Sequence, residues 1–127
     1  MTDDEFLRQL EACTLPEALF DHPGHVRAGF AYLQREPFGA AIERMKTALI
    51  QYARSLGREG RYHDTITVAY LTLIREKMSQ EPAGIRWEDF ASRYPLLLDR
   101  DVLRAYYTNE ELESAEARAT FRLPRRM

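Results

Sequence analysis

The sequence predicts a single all-helical domain: an up-and-down bundle of three longer helices with short helices packed around it. Three observations carry that prediction. Every long apolar segment repeats at the 3.6-residue helical period, and none sustains the two-residue period of a half-buried strand. Gly and Pro fall between the periodic segments, where helices end. Thr followed three residues later by Glu recurs at segment starts, the signature of a capping box.

The elements follow in order. Thr2 and Glu5 cap a first helix over about residues 3–12, with Phe6, Leu7 and Leu10 on its apolar face. Thr14, Pro16 and Glu17 repeat the signature and predict a helical turn over Leu15–Phe20. A second helix runs from His22 or Pro23 to Arg35, where Pro37 disfavours helical backbone at Glu36. The third runs from about Gly39 to Leu56 and stops at Gly57. The fourth covers Tyr62 to Ser79, with Asp64 as a candidate N-cap. It is apolar around much of its circumference, which places it near the centre of the fold. Three shorter helices are expected after Pro82-Ala83-Gly84: Trp87–Tyr94, about Asp99–Tyr107, and one capped by Thr108 and Glu111. Residues 118–127 are expected to fray.

Composition limits the function classes. The 127 residues are 45% apolar and 30% charged, as in a globular chain. A net charge of −2 gives no overall pull toward nucleic acid. No apolar run nears the ~20 residues of a membrane span. The start, Met1-Thr2-Asp3-Asp4-Glu5, is acidic where a signal peptide is basic, so a cytoplasmic protein of bacterial style is expected. Cys13 is the only cysteine, and a small buried hydrophobe is its expected role.

The chemistry-bearing residues are the three histidines. His22, His25, Gly29 and Tyr32 share one side of the second helix, and His63, Thr67, Tyr70 and Ile74 align on the fourth. Short connections make consecutive helices antiparallel, so the second and fourth helices run the same way. All three histidines then lie at one end of the bundle. One functional reading is a divalent transition metal held by His22, His25 and His63 with an open position. The other is a pocket for a small anionic ligand at two helix N-termini, with Arg27, Arg58 and Arg61 supplying charge. There His22, His25 or His63 acts as general acid or base, and Tyr32, Thr67 or Tyr70 orients the ligand. In either case the chain is a ligand-binding protein, with enzyme activity and homo-oligomerisation left open. The competing reading is a non-enzymatic helical interaction module. Asp21, His22 and His63 then only cap helices, and a basic C-terminal arm or an exposed stripe of Trp87, Phe90 and Tyr94 binds a partner. Gly29 is costly inside a helix and is expected to admit a close neighbour. Gly57-Arg58-Glu59-Gly60 matches the GxxG of KH domains, but the required sheet is missing, so it reads as a connector.

The stretches from His22-Pro-Gly-His25-Val-Arg27 to Tyr32-Leu33 and from Arg61-Tyr62-His63 to Thr65-Ile-Thr67 resemble a family of small all-helical bacterial proteins. Leu97-Leu98-Asp99, Tyr106-Tyr107-Thr108 and Ser114-Ala-Glu-Ala-Arg118 are similar as well. The resemblance spans most of the chain and implies an all-helical fold. It brings with it no activity, cofactor or substrate.

Overall fold

Thr2 opens the first helix as its capping box requires. Its hydroxyl accepts from the Glu5 amide at 3.1 Å, and the Glu5 carboxylate accepts from the Thr2 amide at 3.3 Å. The structure, a computed structural model describing residues 1–125, is all-helical, with no strand among the described residues. Helix α1 spans Asp3–Glu11, α2 His22–Arg35, α3 Phe38–Ser55 and α4 Asp64–Met78. The shorter α5 (Trp87–Arg93), α6 (Asn109–Glu113) and α7 (Ala115–Ala119) follow. Single 3-10 turns occupy Glu17–Leu19, Pro95–Leu98 and Val102–Ala105. Cys13 ends α1 in the left-handed region, at φ 60°.

Several local readings change. Thr14 caps nothing: its hydroxyl donates to the Gln9 carbonyl at 3.3 Å, and the turn that follows starts at Pro16 with no side-chain cap. The segment expected as a helix over Asp99–Tyr107 is irregular, with a 3-10 turn before it and another within it. The Asp99 carboxylate accepts the Asp101 amide at 2.9 Å, a local bond that competes with helix. The last helix is two, because Ser114 takes extended backbone and its hydroxyl caps a new start through the Ala117 amide. Asp64 is not the N-cap of α4; His63 is. Residues expected to fray are tied down as far as Arg122. Phe121 N–H donates to Asp64, Arg122 N–H to the Thr65 hydroxyl, and the Tyr107 hydroxyl to the Arg122 carbonyl. Arg126 of the basic arm and Met127 of the tail lie outside the described residues.

α2 lies at the centre, packed on α1, α3, α4 and α5. One face joins the α1–α3 core through Ala28, Ala31 and Tyr32. The other, through Val26 and Phe30, meets Ile74, Phe90 and Leu97. The Phe30 ring sits 4.8 Å from Phe90 and 5.5 Å from Trp87, and Phe90 sits 5.0 Å from Tyr94. The aromatic stripe of α5 is therefore turned inward, and it is not an exposed binding strip.

α2 and α4 run parallel. His22 meets Tyr70 with ring centroids 4.9 Å apart, and further along both helices Gly29 faces Leu71 and Ile74. A Cβ at Gly29 would lie 3.0 Å from Leu71 Cδ2 and 3.1 Å from Ile74 Cδ1. The glycine lets the two helices approach closely, as its mid-helix position suggested. No helix among the described residues is long and apolar enough to cross a membrane.

Candidate functional site

The first turns of α2 and α4 flank a cleft of about 360 Å³, roofed by the end of α3 and the connection that follows it. His25 and His63 both line it, together with Phe20, Tyr52, Arg58, Arg61 and Thr67. His22 does not. It lines, with His25, a smaller hollow of about 80 Å³ between α2 and α4.

Each histidine is held differently. The His25 Nδ1–H donates to the Asp21 carbonyl at 2.8 Å, which leaves Nε2 as a lone-pair acceptor. Its ring stacks on Phe20 at 3.9 Å. Phe20 precedes the N-cap Asp21 and His25 is the fourth helical residue, so the pair is a staple across the helix start. Burial, chiefly, and the neighbouring His22 hold the His25 pKa below its ordinary value, favouring the neutral ring. His22 donates Nε2–H to the Leu97 carbonyl at 3.1 Å, and burial lowers its pKa as well. His63 uses both nitrogens: Nδ1 accepts from the Ile66 amide at 3.2 Å, and Nε2–H donates to the Leu112 carbonyl at 2.6 Å.

Among the described residues, no three His, Cys, Asp or Glu side chains are arranged to hold a metal ion, and His22, His25 and His63 form no such set in this geometry. The cleft's cations are better placed. Arg58 pairs with Glu17 at 2.9 Å across the cleft wall. The Arg61 guanidinium is exposed and makes no ion pair or hydrogen bond among the described residues. The Thr67 hydroxyl donates to the His63 carbonyl at 2.8 Å, and Tyr62 to Asp64 at 2.7 Å.

Two residues expected at the site stand elsewhere. Tyr32 is buried and donates to Glu11 at 2.7 Å, beneath the Arg44 guanidinium at 5.0 Å. Desolvation, together with the Glu11 carboxylate, raises its pKa, so its hydroxyl keeps its proton for that bond. Arg27 joins α1 to α2, bonding Asp3 at 3.1 Å and the Met1 carbonyl at 2.7 Å. Neither lines the histidine cleft. Phe20, Tyr52 and Glu17 do line it without having been singled out. For Phe20 the signal was available, an apolar residue directly before a capping Asp. Glu17 meets Arg58 across 41 residues, which no local pattern announces.

The depressed histidine pKa values predict a pH dependence. Between the lowered folded values and the unfolded ~6.5, the unfolded chain binds more protons, so stability falls as pH drops through that window. Denaturation midpoints at pH 7.5 and 5.5 should therefore diverge more in the parent than in a His22→Gln/His25→Gln variant. Equal divergence would show that burying neutral histidines contributes nothing. Comparison of the chain with protein-family models, curated proteins and solved structures found no match, so the resemblance drawn from the histidine segments rests on the sequence alone.

Proposed function

We propose that the chain binds a small anion in the His25–Arg61 cleft, and that the anion also carries a hydroxyl hydrogen, as a hydroxy-carboxylate or a hydrogen phosphate does. The observation that carries this reading is the pairing, in one cleft, of a partnerless arginine with a neutral imidazole whose only open atom is a lone pair. Arg61 supplies the charge. Arg58, already balanced by Glu17, adds a second cation at the rim. A bare carboxylate meeting the His25 lone pair would be repelled, whereas a ligand hydroxyl can donate to it.

The same arrangement suits base chemistry. A proton taken from the ligand hydroxyl would reside on Nε2, and the Asp21 carbonyl at Nδ1 would steady the resulting cation. Phe20 keeps the ring in one plane while this happens. Whether or not a reaction follows, His25 is the group facing the ligand, and His63 is committed to the backbone.

Lactate and inorganic phosphate should each raise the melting temperature. Arg61→Gln should weaken binding about tenfold or more, the scale of a hydrogen bond to a charged group. Stabilisation by neither anion, or unchanged affinity in Arg61→Gln, would overturn the reading. A gain produced by zinc and abolished by His63→Ala would favour a metal site instead.

A further inference from the structure

The hollow of about 80 Å³ between α2 and α4 shares His25, Leu49, Ile66 and Thr67 with the anion cleft, so the two spaces meet at one wall. Beyond that wall the lining is apolar: Val26, Met45, Leu71 and Ile74, with Gly29 supplying no side chain at all. Two other wall residues carry polar atoms that are engaged elsewhere, apart from His22 Nδ1, which has no hydrogen bond among the described residues. His22 Nε2 donates to the Leu97 carbonyl and the Tyr70 hydroxyl to the Asp99 carbonyl at 3.2 Å, both in the segment after α5. The hollow therefore offers a ligand contact area with little to hydrogen-bond.

Resting on the anion reading above, we infer that the ligand is amphipathic: a hydroxy-carboxylate whose short unbranched alkyl chain passes Leu49 and Ile66 and ends in the α2–α4 hollow. Size limits the chain. At the ~30 Å³ that one water occupies in the liquid, the hollow has room for about three carbon-sized groups. Its mostly apolar lining offers water few partners, so filling it displaces little hydrogen-bonded water. Each methylene it receives should tighten binding about fourfold. The close packing of α2 on α4 sets the depth. A Cβ at position 29 would meet Leu71 and Ile74 at 3.0 and 3.1 Å, and both of those side chains line the hollow.

The test is calorimetric titration of the full chain with glycolate, lactate, 2-hydroxybutyrate, 2-hydroxyhexanoate and 2-hydroxydecanoate, with inorganic phosphate as a tail-less anion. Affinity should rise about fourfold per methylene over roughly three methylenes, then level or fall. Gly29→Ala should abolish that rise and leave glycolate binding intact. Val26→Ile, which adds one methylene to the same wall, should shorten the optimum if Gly29→Ala does not fold. Equal affinity along the series, with glycolate and phosphate still bound, would overturn the tail pocket and leave the anion site standing. No binding of any probe, glycolate and phosphate included, would remove the anion site and this inference with it.

Discussion

Gly24→Ala is expected to cost about 2–3 kcal/mol of stability, as overpacking at a closed site does. The residue sits in the first turn of α2, where its amide donates to the Asp21 carboxylate at 3.0 Å. A Cβ there would land on the Leu19 carbonyl oxygen, well inside van der Waals contact, and 3.1 Å from the carbonyl carbon. The obstacle is backbone, so no rotamer change relieves it. The 3-10 turn Glu17–Leu19 must move away from α2 instead. That turn is followed by Phe20, whose ring touches His25, Phe6 and Tyr52. Alanine's intrinsic helical advantage of roughly 1 kcal/mol offsets only part of the loss. A fall in melting temperature of roughly 10 °C should be read in the parent-matched melt. Gly39→Ala is the control. Position 39 lies in the first turn of α3 with nothing within 4 Å of the added carbon, so the same substitution should be neutral or stabilising there. Similar effects at both positions would show that glycine's flexibility, and not the Leu19 carbonyl, governs Gly24. Since Glu17 and Phe20 form one wall of the cleft, Gly24→Ala should weaken lactate binding as well.

What was legible in the sequence was what neighbouring residues decide among themselves. Thr2 with Glu5, and Thr108 with Glu111, each settle a helix start through bonds three residues apart, and both form as the spacing requires. Pro37 and Gly57 punctuate α3 within two residues of its ends. The parallel course of α2 and α4 also follows from local information, because two short connections leave little choice of direction. Gly29 was conspicuous because a mid-helix glycine has a cost that something must explain.

The residues that misled are those whose partners lie far along the chain. Asp64 is a better N-cap than His63 by type. In the fold its carboxylate is taken by the Tyr62 hydroxyl and the Phe121 amide, and it stands near Lys46, leaving the capping to His63. Tyr32 aligns with His25 on a helical wheel, yet a buried contact with Glu11 claims its hydroxyl. Arg27 follows the histidines in sequence, but α1 captures it through Asp3. Helical spacing places a side chain on a face. It does not say which neighbouring element will meet that face, and α2 is buried on two of them. Gly24 carried no visible signal, because the carbonyl it accommodates belongs to a turn whose approach depends on the packed fold.

His63→Ala is expected to destabilise the protein by about 2–4 kcal/mol, combining loss of an N-cap with a stranded backbone carbonyl. The imidazole joins two parts of the molecule. Nδ1 accepts the Ile66 amide and starts α4, while Nε2–H reaches Leu112 in α6. Around it the C-terminal segment is fastened to the same turn: Thr65 donates to the Ala117 carbonyl at 2.7 Å, and Arg118 donates to the carbonyls of residues 60–62. Asparagine separates the two jobs. It is among the best N-caps, so His63→Asn should recover about 1 kcal/mol of the loss. Its shorter side chain cannot also reach Leu112, so the remainder should persist. Stability should rank parent, then Asn, then Ala. Amides of α6 and α7 should exchange faster with solvent in both variants, because one of the anchors to α4, the bond to Leu112, is gone. Lactate affinity, corrected for the unfolded fraction, should change little, since His25 and Arg61 remain in place. The reverse result, full stability with lost binding in His63→Ala, would move His63 from the frame of the cleft into its chemistry, and the assignment of His25 as the ligand-facing base would have to be redrawn around both rings.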